Sequence, residues 1–193
     1  MLEGPVGRAF LDLVFIMLFA FMASDVMMLP WLNPEGEKQS EQVEAQGDLI
    51  FEVEWPPGIP VDIDLWVRAP GYVAVGYSNQ NVGGCNLLRD DLGLTGDPLD
   101  GNYEQTQCRG LPSGEWVVNA HYYRGTPRDR GVPVKWVVRA LDGAVMQTIL
   151  KGDDWLEAQE QELTMVRFHL GVDGKLIAGS QHNGLLAIRT ASR

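Results

Sequence analysis

The sequence is short of the residues most chemistries need. It holds two cysteines and three histidines, and His121, His169 and His182 stand far apart. No HExxH pair, no phosphate-cradling glycine loop and no serine in a nucleophile-elbow setting is present. Two cysteines without a second set of ligands do not make a zinc site. These absences argue against an enzyme. Basic residues are also scarce: 15 Lys and Arg face 26 Asp and Glu, for a formal net charge of −11. No basic cluster interrupts that excess, which excludes nucleic acid as a natural partner. Long apolar runs are limited to one, near the N-terminus.

That run is Ala9 to Leu32, AFLDLVFIMLFAFMASDVMMLPWL. As a helix it would be roughly 36 Å long, enough to span a bilayer with some tilt. It carries a carboxylate at Asp12. An acid at the centre of a span costs at least about 2.5 kcal/mol on insertion scales. It persists when it has a partner, a water-filled path or a proton-carrying task; the plainer reading places Asp12 at the headgroups. Residues 1–8 are too short to fold. Arg8 precedes the run, whereas Glu35, Glu37 and Glu41 follow it with only Lys38 opposing, so the N-terminus is expected in the cytoplasm. A cleaved signal peptide competes, but the n-region has little positive charge and Asp12 interrupts the apolar core. Asp25 falls about 13 residues after Asp12, on a different helix face. It reads as an outer-interface acid near the anchor Trp31, or, with Ser24, as a second step of an ion path. Pro30 is expected to kink or end the helix.

From Asp12 to Ser24 the segment DLVFIMLFAFMAS resembles the transmembrane helix of the ExbD/TolR family, and more loosely that of MotB. Those helices open with an Asp near the cytoplasmic side, run through Val, Leu, Ile and Phe, and close on a Phe-Met pair followed by small or hydroxylated residues. Phe21-Met22 and Ala23-Ser24 stand at those positions here. The resemblance implies a motor subunit driven by a proton or sodium gradient, with Asp12 carrying the ion. It also implies a self-dimer inside a ring of five polytopic subunits of the ExbB/TolQ/MotA type. The expected setting is the bacterial inner membrane, crossed once, with the C-terminal domain in the periplasm.

Residues 33–47, NPEGEKQSEQVEAQG, form a polar linker. From residue 48 to 193 the pattern changes to period two. Leu49 to Trp55 and Val61 to Arg68 alternate cleanly. Tyr72 to Tyr77 and Asn86 to Arg89 read as short strands, and Glu115 to Tyr123 as a long one. Val132–Leu141 with Ala144–Lys151 forms a hairpin about Asp142-Gly143. Leu163–Leu170 with Lys175–Ala178 forms another about Asp173-Gly174, and Leu185–Thr190 closes the domain. Asp154 to Glu162 has room for one helical turn. Eight to ten short strands with frequent turns predict an all-β antiparallel sandwich, immunoglobulin-like or jelly-roll-like, on a single transmembrane helix.

Part of this domain resembles a second family. Asp62-Ile63-Asp64-Leu65-Trp66-Val67, Pro70-Gly71, Gly76-Tyr77-Ser78-Asn79, Gly83-Gly84, Arg89-Asp90-Asp91-Leu92-Gly93 and Leu111-Pro112-Ser113-Gly114-Glu115-Trp116 follow in the order of the YfaP-like domains of exported bacterial proteins. The resemblance implies a fold and a compartment, and no chemistry. Trp116 departs from the family's Tyr, and Cys85 and Cys108 are additions.

An exported domain lies in an oxidising compartment, so Cys85 and Cys108 are expected to form a disulfide, linking the Gly83-Gly84 loop to the segment before Pro112. No cofactor is called for beyond the transported ion. Asp62, Asp64, Asn79, Asp90 and Asp91 offer oxygen ligands for calcium, against the plainer reading as turn and strand-edge acids, which the sequence favours. Trp66, opposite Ile63 and Leu65, belongs either to a binding face or under a second sheet. Two function classes remain. The first is the motor subunit, with Asp12 as ion carrier and the β domain as periplasmic effector. The second is a membrane-anchored module that binds glycan or protein, with the helix as a tether. Asp12 separates them, since a tether has no use for it.

Overall fold

A computed structural model describes residues 5–32, 47–93, 101–126 and 131–189. The chain divides into two compact units, one holding the helix and the other all the strands.

The helix α1 spans Pro5–Leu32. Pro5 opens it, where a missing N–H costs nothing. The helix continues through Pro30 to Leu32, so of the two expectations for Pro30, a kink or an end, the end is corrected. Its segment Gly7–Ser24 is long and apolar enough to cross a membrane, and none of it is buried within the chain. Asp12 lies in that segment, one turn after Arg8. Ser24 is exposed at its far end. The side chain of Asp25 lies outside the described residues, as does the linker of residues 33–46.

Among the described residues nine strands make two antiparallel sheets. They are β1 (Leu49–Trp55), β2 (Val61–Arg68), β3 (Asn81–Val82), β4 (Cys85–Arg89), β5 (Asn102–Cys108), β6 (Gly114–Gly125), β7 (Val132–Asp142), β8 (Val145–Leu156) and β9 (Glu162–Leu170). The larger sheet runs β3-β4-β5-β1-β7-β8 and the smaller β2-β6-β9. The all-β sandwich expected from the alternation is therefore present, in a chain that also holds one apolar helix. Leu49, Phe51 and Val53 of β1 meet Ile63, Leu65 and Val67 of β2, Trp116 and Val118 of β6 and Phe168 of β9 in one core. Phe51, Trp116 and Phe168 stack at its centre, with ring centroids 5.6 Å (Phe51–Trp116) and 6.5 Å (Trp116–Phe168) apart. Burying aromatics of this size supplies much of a small domain's stability.

Four local expectations change. Tyr72–Tyr77 is not a strand. After a turn at Gly71, with φ 80°, it touches β2 through a single bridge, Val67 to Val75. The segment instead covers the outer face of the small sheet, where Trp66, Ala74, Val117 and Ile188 form a second core. Trp66 is thus fully buried, under a loop rather than a second sheet. Lys175–Ala178 contributes one bridge, Leu170 to Leu176, and no strand. Residues 185–189 do not join a ladder either, although residues 186–189 are held on β6 and β9 by side chains; Thr190 lies outside the described residues. Glu162 Oε1 accepts from the N–H groups of Ile188 (2.7 Å) and Arg189 (3.1 Å), and Thr164 Oγ1 accepts from Leu186 N–H (2.9 Å). Finally, Asp154 to Glu162 holds no helix: β8 runs on to Leu156, and a turn follows.

Sequence reading missed the two-residue β3 and, of more consequence, β5, NYEQTQC. Its residues are mostly polar, yet Glu104, Gln105, Thr106 and Gln107 are all buried. It is held by ladders on both sides, to β1 and β4, so backbone hydrogen bonding rather than apolar alternation defines it. Cys85 and Cys108 face each other across the β4–β5 ladder and form the expected disulfide.

Candidate functional site

The β2 sequence DIDLW alternates. Ile63 and Leu65 enter the core, which sends Asp62, Asp64 and Trp66 to the opposite face. Register then selects their partners on β6. Asp64 faces His121, and Asp62 faces Arg124 beyond a bulge between Asp62 and Ile63. His121 Nδ1 lies 2.8 Å from Asp64 Oδ2, and Arg124 Nε donates to Asp62 Oδ2 at 2.9 Å. Asp62, Asp64 and His121 are buried, while half of the Arg124 side chain is exposed.

β2 is an edge strand of the small sheet, so one row of its backbone groups lacks a ladder partner. Glu104 of β5 fills part of that gap. It pairs across the ladder with Val53 and shares its inward face, and its Oε2 accepts the N–H of Leu65. That reach across the sheets places a Glu104 oxygen within 4.8 Å of oxygens on both Asp62 and Asp64. Asp90, just after β4, is near enough for its charge to act on Glu104. The sandwich thus gathers four carboxylates along one seam.

Crowding and burial disfavour their ionised forms. Burial, then the charge of Asp64, push the Asp62 carboxyl up to about 6, against the pull of Arg124. Burial, then Asp64, hold Glu104 well above the usual glutamate range. Asp90 is raised chiefly by burial. Two of the seam's buried oxygens take no hydrogen bond: Asp62 Oδ1 and Glu104 Oε1. On the far side of Asp64, His121 Nε2 is also without a hydrogen bond, with Glu160 at 3.6 Å.

Of the sequence's candidate ligands, Asp62, Asp64 and Asp90 come together. Asp91 does not join them. Its Oδ1 accepts Gly93 N–H (2.9 Å), its Oδ2 accepts Tyr103 N–H (3.3 Å), and Arg89 stands 3.7 Å away; it braces the loop between β4 and β5. Asn79 is likewise spent elsewhere, closing the Gly76–Asn79 turn and donating to Ala74 O at 3.3 Å. Glu104 was missed because β5 was missed. The one available signal was an acid in a short polar stretch between the cysteines. His121 pairs with Asp64, while His182 lies 4.0 Å from Glu115.

Comparison with family models, curated proteins and solved structures finds no match to this chain. Geometry and chemistry alone therefore define two places of interest: Asp12 in the apolar segment of α1 and the carboxylate seam of the sandwich.

Proposed function

We propose that this chain is the single-span subunit of an ion-gradient-driven membrane motor, in which Asp12 takes up and releases a proton or sodium ion and the β-sandwich acts as the effector outside the inner membrane. The observation that carries the reading is Asp12 itself. It stands within the apolar segment of α1, exposed, with no hydrogen-bond or ion-pair partner among the described residues. Such an acid in a bilayer needs walls and partners from other helices. Its neighbours Val14, Phe15, Phe21 and Met22 support the likeness to the ExbD/TolR helix. One charge crossing about 150 mV would release roughly 3.5 kcal/mol, enough to drive a conformational step. In this reading the N-terminus is cytoplasmic, the sandwich periplasmic, and two copies sit inside a polytopic ring.

The test is co-expression of the chain with a multi-span, ExbB-like membrane protein of the same organism and native mass measurement in gentle detergent. Two copies within a ring are expected; a lone monomer would count strongly against the reading. The carboxylate seam favours a second reading, a membrane-tethered binding module. A tether would tolerate loss of the Asp12 charge, whereas a motor would not.

A further inference from the structure

Asp62, Asp64 and Glu104 place an oxygen each within 4.8 Å of one another. Two oxygens bound to one calcium ion, each at about 2.3–2.6 Å, lie at most about 5 Å apart. The three can therefore share one ion, and Asp90 stands beside them. A second observation does not depend on crowding. Asp62 Oδ1 and Glu104 Oε1 are sealed from water and receive no hydrogen bond, on residues only 3% and 1% exposed. Their sister oxygens are already satisfied, by Arg124 and by Leu65 N–H. Buried polar atoms are almost always paired, so two orphaned carboxylate oxygens in one seam mark a missing positive partner. The seam's own cations fall short: Arg124 is half exposed, and of the seam's acids His121 pairs with Asp64 alone.

We propose that Asp62, Asp64, Asp90 and Glu104 form a binding site for one divalent cation, with calcium as the matching ion. The donors that converge are all carboxylate oxygens, which suit a hard cation taken in by flexible, oxygen-rich coordination. Nitrogen and sulfur are absent from this donor set. His121 spends Nδ1 on Asp64, and the two sulfurs are bonded to each other. The His121–Asp64 contact has the form of an outer-shell hydrogen bond that orients a ligating carboxylate. The Cys85–Cys108 bridge closes the loop that carries both Asp90 and Glu104, so it holds two ligands in register with β2.

The competing occupant is a proton shared among the acids, and the experiment separates the two. The full chain in detergent micelles is stripped with chelator and titrated with calcium by calorimetry. In parallel, terbium luminescence is read through Trp66, two residues along the same strand face from Asp64. One ion per chain is expected, with terbium displaced by calcium and the melting temperature raised by calcium. Glu104→Gln keeps the acceptor for Leu65 N–H but removes the charge. It should weaken binding by about tenfold or more and lose the calcium-dependent rise in melting temperature. Asp90→Asn, on a more exposed ligand, gives the same readout if Glu104→Gln folds poorly. Asp153→Asn on β8 should bind as wild type. The proposal is overturned if the wild-type chain shows no saturable binding at millimolar calcium. It is equally overturned if binding survives unchanged in both ligand variants. A Glu104→Gln chain that melts higher than the wild type, with neither responding to calcium, would show that protons alone neutralise the seam.

Discussion

Opening the disulfide should loosen the domain at one end of the larger sheet first. Cys85 and Cys108 are 23 residues apart in sequence and directly opposed on β4 and β5. In the chain-entropy model a loop of that size removes about 11 cal/mol/K from the unfolded ensemble, or about 3 kcal/mol at 25 °C. For a domain of this length, each kcal/mol moves the melting temperature by about 2–4 °C, so the reduced form should melt roughly 6–12 °C below the oxidised one. Both sulfurs lie in the core, and reduction therefore requires unfolding in reductant followed by refolding. The comparison is between oxidised and reduced wild-type chain, which share every atom except the bridge. Near-ultraviolet circular dichroism against temperature reads the core aromatics Phe51, Trp116 and Phe168. Hydrogen exchange should rise first across β4 and the Asp90-Asp91 loop, while β1–β7 and β6–β9 stay protected. Thiol counting on unreduced, denatured protein should find no free cysteine. Equal melting temperatures in the two redox states, within about 2 °C, would refute the loop-closure reasoning.

Two further predictions concern the surroundings of the seam. In chelator, the Asp62 carboxyl binds its proton more tightly folded than unfolded, because burial and Asp64 raise it from 3.8 to about 6. Its neutral form is therefore stabilising below pH 3.8, and that contribution drains away as pH rises from 3.8 to about 6, by about 3 kcal/mol at most. Asp62→Asn should gain on the wild type across this window in denaturant titrations at pH 4 and pH 7; a constant difference would contradict the sign. Gly76→Ala sets a Cβ 2.5 Å from the buried Trp66 indole, an overpacking cost of about 1–3 kcal/mol. Gly179→Ala, which meets nothing within 4 Å but has φ +74°, should cost only the backbone term of about 1–2 kcal/mol. Urea midpoints that rank the two in the opposite order would show that the loop over Trp66 is looser than described.

Some of this fold was legible because apolar alternation is a strong signal where one face is buried. β1, β2 and β6 to β9 follow it, and the Asp142-Gly143 hairpin follows its turn chemistry, with Gly143 at φ +66°. β5 was illegible because its inward residues include Glu104 and Thr106, which occupy the core side of a strand without being apolar. Residues 185–189 misread in the other direction: Leu186 and Ile188 alternate like a strand, yet Glu162, Thr164 and Asn119 hold the segment through side chains. Trp66 illustrates a further limit. Alternation gives the face of a residue but not what lies over it, and here a glycine-containing loop covers it. For the seam, the sequence supplied Asp62, Asp64 and Asp90 by residue type. Only the meeting of β2 with β5 supplied Glu104 and released Asp91 to a bracing task.

The motor proposal depends on whether the Asp12 charge is used. Asp12→Asn keeps size and hydrogen bonding but cannot ionise. The decisive measurement is complementation of a strain deleted for this gene, at equal expression, with co-purification of the polytopic partner as the assembly control. Asp12→Asn should assemble normally and fail to complement, Asp12→Glu should complement in part, and Asp25→Asn should behave as wild type. Full complementation by Asp12→Asn would contradict the motor reading and leave the helix as a tether for a binding module.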